Sequence, residues 1–494
     1  SQRITELVAK RYGQHPAVAA WQTDNEYGCH DTVLSYSPHA ASAFRRWLAK
    51  RYGAVSALNQ AWGTVFWSQE YRSFDEIDPP NLTVTEAHPA HRLDYRRFAS
   101  DEVVAFNREQ TTLLRKHSPA RDITHNFMGF FTEFDHHDVS ADLDVATWDS
   151  YPLGFTQNFF FSAQEKQRYA RIGHPDIPAF HHDLYRGMCR TSGKGRWWVM
   201  EQQPGPVNWA QWNPAPEAGM VRLWTWQAFA HGAEVVSYFR WRQAPFAQEQ
   251  MHTGLLRSDR SVDQGGEEAA QVHQELLRLA TSVAIERQAV KAPVALLMDY
   301  PSLWMAQIQP QGADYNPLEL CFRVYSALRQ LGLDVDVLPT QADVSGYAMV
   351  VLPAHLRSDT NLPDRLQRSG AQVVLGPRAG SKTEHLSIPG NLPPGDLAQL
   401  AGVRVQRVES LPPGVELAVQ HGAQRFTAAR WREHLQCHSA AVDATFDDGR
   451  PAVTRNGRVR YVGAWLDEAG WAAVLSQTAK DALVNTMNLP PDVR

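Results

Sequence analysis

Two apolar runs that each end in a glutamate constrain this chain more than any other feature. Trp197-Trp198-Val199-Met200 runs into Glu201-Gln202-Gln203-Pro204-Gly205, and Ala17-Val18-Ala19-Ala20-Trp21 leads through Gln22-Thr23-Asp24-Asn25 to Glu26-Tyr27-Gly28. A short apolar run bounded by polar residues and a Gly or Pro reads as a buried parallel strand. Such a strand delivers its terminal acid to the mouth of a barrel. Two strand-end acids so far apart in sequence point to two-carboxylate chemistry, with glycoside hydrolysis the main candidate.

The rest of the first 290 residues repeats this alternation. Helical patterns cover 2–12, 38–52, 92–117, 161–172, 216–231 and 266–285, with a further patterned stretch at 176–189. Strands are predicted at 17–24, 122–126, 143–148, 196–200 and 234–241. Five strands alternating with helices suit a (β/α)8 TIM barrel, although an open doubly wound sheet can also use five parallel strands. The aromatic segment 59–80, with Trp62, Phe66, Trp67, Pro79 and Pro80, is predicted to be an ordered insertion folding back over a pocket. A boundary near 287–293 divides the chain into 1–290 and 291–494. Beyond it, strands at 294–298, 335–338, 348–352 and 373–375, with helices at 317–331 and 362–368, predict a smaller doubly wound α/β domain. Residues 383–422 show no clear period, and a last helix is expected at 478–487.

Composition excludes several classes. The chain of 494 residues carries a formal charge of -5, which is not the footprint of a nucleic-acid binder. No apolar run approaches the roughly 18 residues of a membrane span. Cys29, Cys189, Cys321 and Cys437 are widely spaced, which fits a reduced, cytoplasmic compartment better than a disulfide framework. Asp299-Tyr300-Pro301-Ser302 after the first strand of the second half is not a Gly-rich phosphate loop, so nucleotide binding is not expected.

A retaining glycosidase needs a proton donor and a carboxylate nucleophile about 5 Å apart. Asn25 beside Glu26 can bind the sugar hydroxyl next to the reacting carbon, and Gln202 and Gln203 can donate hydrogen bonds beside Glu201. Tryptophans near strand ends offer flat faces to a sugar ring. The bland reading of any one strand-end glutamate is a solvated or ion-paired residue.

The motifs around these residues resemble family-42 glycoside hydrolases, the β-galactosidases of clan A. Trp21 to Gly28 resembles the family's acid/base segment, and Ala61-Trp62-Gly63-Thr64-Val65-Phe66-Trp67-Ser68 its following loop. Trp148-Asp149-Ser150-Tyr151-Pro152, Phe180 to Gly187, Met200 to Gly205 and Tyr238 to Pro245 follow in family order. The resemblance implies that Glu26 is the acid/base and Glu201 the nucleophile. It also implies that Asn25, Trp67, Tyr151, Trp209, Glu249 and His252 bind galactose. It implies barrel strands four to eight over 1–290. Over 291–494 it implies a flavodoxin-like or amidotransferase-like domain for oligomerisation, and a homotrimer acting on β-galactosides without a cofactor. Glu249 and His252, three residues apart, share a face if the segment is helical.

The sequence departs from the family in places. Many members hold a zinc through a cysteine cluster after the acid/base strand. Here Cys29 is followed by His30, Ser35, Ser37 and His39, and one thiol is too few, so no structural zinc is expected. His136-His137-Asp138 and His181-His182-Asp183 are expected to be ordinary hydrogen-bonded groups. The family pattern extends past both ends of the sequence, so the native polypeptide is expected to be longer. An α-L-arabinopyranosidase with the same machinery and a non-catalytic galactoside-binding protein are the competing readings.

Overall fold

The computed structural model describes residues 1–191, 195–282, 291–487 and 489–490. The first half holds a five-stranded sheet in the order β1-β2-β3-β4-β5, where β1 is Ala20–Gln22, β2 Asp122–Met128, β3 Val145–Ser150, β4 Trp197–Gln202 and β5 Val236–Tyr238. Every neighbouring pair is parallel. The spatial order is the sequence order, with no reversal. A doubly wound sheet must reverse its order at a switch point, whereas a barrel winds in one direction. The five strands therefore follow the barrel path.

Because all five run the same way, their polar ends meet at one edge. The register sets Met128 of β2 opposite Asp149 of β3, and Asp149 opposite Glu201 of β4, with an irregularity between Trp148 and Asp149. The central strands β2 and β3 are buried on both faces, whereas β1 and β5 at the two ends of the sheet are only partly covered.

Local chemistry explains the helices between them. Ser37 accepts a hydrogen bond from the Ala40 N–H, Pro38 takes the first turn, and Gly53 at φ 71° ends the helix Pro38–Tyr52. Ser162 and Glu165 form a reciprocal capping box at the start of Ala163–Arg168, a shorter helix than the predicted 161–172. The long helix Pro89–His117 and the helix Asp176–Thr191 flank the sheet.

The segment 59–80 is ordered, as predicted, but it does not fold over a pocket. It contributes the helix Val55–Trp62 and two short 3-10 turns, Phe66–Ser68 and Phe74–Glu76. Leu58, Trp62 and Ile77 pack with Phe44, Leu48, Tyr95 and Phe98 into a satellite core on the outer helices. Trp62 Nε1 donates to buried Asp94 at 2.9 Å, which fixes the segment there.

The second half is one eleven-stranded mixed sheet. Its parallel part runs β7-β6-β8-β9-β15, with β6 Val294–Met298, β7 Val335–Pro339, β8 Met349–Leu352, β9 Gln372–Leu375 and β15 Val459–Val462. That is the 2-1-3-4-5 order of a doubly wound fold. The sheet continues antiparallel through β14 Pro451–Asn456, β13 Ala441–Phe446, β11 Leu417–His421, β12 Gln424–Cys437 and β10 Val403–Ser410, with β16 Ala464–Leu466 on β12. Residues 383–422 showed no clear period because the strands there carry polar and charged side chains on exposed positions, as in Arg404, Gln406 and Arg407 of β10. The last helix is Glu468–Asp481, ten residues earlier than the predicted start.

One apolar core runs through both halves. The predicted boundary falls beside residues 283–290, which lie outside the described residues. Gly187 lets the helix Asp176–Thr191 lie directly on β7: a Cβ there would stand 1.9 Å from the Val337 carbonyl oxygen. Trp304 Nε1 donates to the Thr132 carbonyl at 2.6 Å, and the Tyr325 hydroxyl to Asp183 at 2.6 Å. Among the described residues, no helix is long and apolar enough to cross a membrane.

Candidate active site

A cavity of about 1040 Å³ opens at the polar edge of the five-stranded sheet. Glu26, Asp149 and Glu201 stand at its floor, with one carboxylate oxygen of each within 4.8 Å of the others. Among the described residues this is the one group whose oxygens are close enough to share a cation, and no other His, Cys, Asp or Glu cluster qualifies.

Glu26 is placed by a strained turn after β1. Asp24 and Glu26 both adopt left-handed backbone, at φ 50° and 42°. Such residues cost about 1–3 kcal/mol each and persist where their surroundings fix them. Here the Glu26 N–H donates to Asn126 Oδ1 at 3.2 Å, and the Tyr27 N–H to His125 Nε2 at 3.1 Å. Burial lowers His125 to about 3, so the ring is neutral. Its Nδ1–H then donates to the Thr23 carbonyl at 2.7 Å, which leaves Nε2 free to accept. Asn126 also donates to Asn25 Oδ1 at 3.0 Å and to Asp149 Oδ2 at 2.7 Å, so one carboxamide on β2 ties the β1 turn to β3.

Glu201 ends β4. Tyr151, just past β3, donates its hydroxyl to Glu201 Oε2. Burial pushes Glu201 up to about 7; the Tyr151 bond opposes that shift, Glu26 and Glu249 add to it, and Arg240 opposes it. Burial, then the Glu201 charge, holds the Tyr151 hydroxyl well above the usual tyrosine range, so it remains a donor.

The walls are aromatic. Trp209 meets Tyr151 edge-on, with ring centroids 5.5 Å apart, and packs on Phe155. Gly154 makes room for it, since a Cβ there would lie 2.5 Å from Trp209 Cη2. Glu249 and His252 both line the cavity from the loop after β5, on a turn closed by the His252 N–H to the Glu249 carbonyl at 2.9 Å. His252 is buried against Tyr151 and Phe239, and Glu249 is ion-paired with Arg240. Burial lowers His252 to about 4.

Of the eight residues predicted for the site, the structure brings seven together: Asn25, Glu26, Tyr151, Glu201, Trp209, Glu249 and His252. Trp67 is the exception. It sits on the satellite segment, is 66% exposed, touches Phe66, and does not line the cavity. The reason is the packing of 55–77 onto the outer helices rather than over the sheet edge. Asp149 and Arg240, which line the cavity, and Asn126, which holds Asp149, were not among the predicted residues. Asp149 carries the same signal as the two glutamates, an acid closing an apolar strand. Asn126 and Arg240 carry no comparable signal.

The pair His181-His182 is built into the core as hydrogen-bonded groups, whereas both ring nitrogens of His137 lack a partner among the described residues. His181 accepts from the Phe130 N–H at 2.8 Å, and His182 from Trp148 Nε1 at 3.2 Å. Cys29 touches His30 with Sγ 3.1 Å from Nδ1, beside the cavity.

Residues 1–279 match the family profile described as β-galactosidase of glycoside hydrolase family 42, and residues 292–485 match that of the β-galactosidase trimerisation domain. The chain belongs to the family-42 β-galactosidases. A β-galactosidase of Thermus thermophilus is 53% identical over 494 residues, which is 100% of this chain and 75% of that protein. The β-galactosidase Bga of Halorubrum lacusprofundi is 43% identical over 514 residues, covering 99% of this chain and 72% of the relative. The crystal structure of a β-galactosidase from the psychrophilic Marinomonas ef1 superposes with a TM-score of 0.96 at 51% identity, over 99% of this chain and 75% of that one. The five-stranded sheet is accordingly part of the family's TIM barrel, followed by the trimerisation-type domain.

Proposed function

We propose that the chain hydrolyses terminal β-D-galactosides with retention, Glu26 acting as acid/base and Glu201 as nucleophile. One observation carries the reading. The carboxylates of Glu26 and Glu201 face each other across one cavity, with oxygens within 4.8 Å. Retaining enzymes hold their two carboxyl groups about 5 Å apart, whereas inverting enzymes leave roughly 6.5–9.5 Å for a water molecule.

In the first step Glu201 attacks the anomeric carbon while Glu26 protonates the departing oxygen. This gives a galactosyl ester on Glu201. In the second step Glu26 takes a proton from water, which displaces the ester. Tyr151 orients Glu201 by donating to Oε2, and that bond stabilises the negative charge that returns to Glu201 when the ester breaks. Asn25, Trp209, Glu249 and His252 surround the sugar, Trp209 with its aromatic face. Trp67 is 66% exposed and free to take part in an interface.

We further propose that 1–290 is the catalytic domain and 291–494 the oligomerisation domain of a homotrimer, supported by the trimerisation profile over 292–485. A reduced, cytoplasmic setting is supported by the free thiols of Cys29, Cys321 and Cys437.

The test is direct. Glu201→Gln is expected to abolish turnover of nitrophenyl β-galactoside. Glu26→Ala is expected to retain activity on a dinitrophenyl galactoside and to give β-galactosyl azide when azide is added. A Glu201→Gln protein with unchanged rate, or an azide product of inverted configuration, would sink the assignment.

A further inference from the structure

The two-step mechanism leaves one buried acid at the centre of the cavity unused. Asp149 closes β3 between Asn126 of β2 and Glu201 of β4, and it is 1% exposed. Its Oδ2 accepts from Asn126. Its Oδ1 is buried and meets no donor group among the described residues. One oxygen of the same carboxyl group lies within 4.8 Å of a Glu26 carboxylate oxygen. Two ionised carboxylates this close in a buried setting repel, and a proton shared between them removes one of the two charges.

We propose that Asp149 and Glu26 share a single proton, and that Asp149 is the positioning residue that keeps the acid loaded before the glycosidic bond breaks. This rests on the reading of Glu26 as the acid/base.

The charge balance over the cycle fits. At the start the pocket holds ionised Glu201 and a Glu26–Asp149 pair with one proton and one negative charge. The C1–O bond then breaks, its electron pair goes to the leaving oxygen, and that oxygen takes the proton of the pair. An oxygen of Glu201 bonds to C1 and becomes a neutral ester. The pair now carries two negative charges, so the carboxylate charge of the pocket is still two. In the second step a water oxygen bonds to C1, the ester bond breaks with its electrons returning to Glu201, and the water proton returns to the pair.

The surroundings of Asp149 favour this. Burial, then Glu201, then Glu26, hold it well above the usual carboxylate range. The titratable groups facing it are Glu26 from the β1 turn, Glu201 from β4, Tyr151 from the end of its own strand and Tyr185 from the helix Asp176–Thr191. Glu249 and Arg240, of opposite charge, act on Glu201 from the β5 loop. Among the described residues, the groups named as acting on Asp149 include no cation that would compete with the proton as the neutralising charge.

Asp149→Asn keeps the shape and can still donate to Glu26, but carries neither the proton nor the charge. The basic limb of kcat/KM is expected to move down by about one pH unit or more. The loss in kcat is expected to be about 10-fold or more greater on an alkyl β-galactoside, whose leaving group needs a proton, than on the dinitrophenyl one. Asn126→Ala removes the donor to Asp149 Oδ2, tightens the hold of the pair on its proton, and is expected to move the same limb up. It provides the reading if Asp149→Asn does not fold. An unmoved basic limb in either variant, or equal losses on both substrates in Asp149→Asn, would overturn the proposal. Glu26→Ala measured alongside separates the two levels. With azide rescue intact there, an unmoved limb removes only the shared proton; without azide rescue, the assignment of Glu26 itself fails.

Discussion

The Tyr151 hydroxyl donates to Glu201 Oε2 across the end of the β3–β4 pair, so a residue just past one strand sets the charge on the acid that ends the next. Tyr151→Phe removes that bond and little else. A hydrogen bond to a charged group is worth about 1.5–3 kcal/mol, so kcat is expected to fall about 10- to 100-fold. Because the bond favours the ionised form of Glu201, its loss is expected to move the acid limb of kcat/KM to higher pH. A pH–rate profile on nitrophenyl galactoside with an unmoved acid limb would show that Tyr151 does not act through Glu201.

Stability carries a matching signature. Glu201 is raised to about 7 in the folded protein, above the 4.5 of an ordinary glutamate. Between these values folding takes up a proton, so this group lowers stability as pH rises from about 4.5 through 7, and the full penalty is present above 7. Glu201→Gln never carries the charge. Its melting temperature is expected to exceed that of the wild type by a few degrees at pH 8, with the gap closing as pH falls toward 4.5. Calorimetry that shows the gap widening at low pH would contradict this sign.

Asp183 joins the two halves. It is buried, accepts from Tyr325, and is paired with Arg186 at 2.6 Å and His231 at 2.7 Å, while Arg186 reaches Asp336 at 3.2 Å. Burial alone would raise it, but Arg186 and His231 hold it well below the usual carboxylate range. Asp183→Leu leaves Arg186 with only the longer ion pair to Asp336 among the described residues and removes the acceptor of Tyr325 and His231, and is expected to cost about 3–5 kcal/mol in urea unfolding. A cost under about 1 kcal/mol, the range of an exposed pair, would show that the network contributes little to joining the halves.

Gly187 tests the same contact sterically. Gly→Ala in a helix ordinarily stabilises by about 1 kcal/mol. Here the new methyl group would fall 1.9 Å from the Val337 carbonyl oxygen. Gly187→Ala is therefore expected to destabilise, by about 1–3 kcal/mol net. A raised melting temperature would mean that the helix and β7 are not in contact at this point.

Much of this was legible in the sequence. The strands that lead to Glu201 and Glu26 were readable because each is an apolar run closed by polar residues and a carboxylate, although β1 is only partly covered. Four of the five doubly wound strands beyond residue 290 were readable from similar apolar runs, and β15 was not. The antiparallel strands from β10 to β14 were not, because one side of each meets solvent and tolerates arginine and glutamine. Trp67 was misplaced because its motif gives its neighbours in sequence, whereas its position follows from Trp62 bonding to Asp94 on an outer helix.

The sequence by itself determined that strand-end acids exist and that their strands run parallel, since apolar periodicity and chain breakers are local properties. Only the tertiary structure decided that Asp149 belongs beside Glu26 and Glu201. Its place depends on the register between β2, β3 and β4 and on one carboxamide, Asn126, that binds the β1 turn and the end of β3 at once. That acids more than 50 residues apart bring their oxygens within 4.8 Å is a property of strand pairing, and pairing is set by the burial of whole strands against each other.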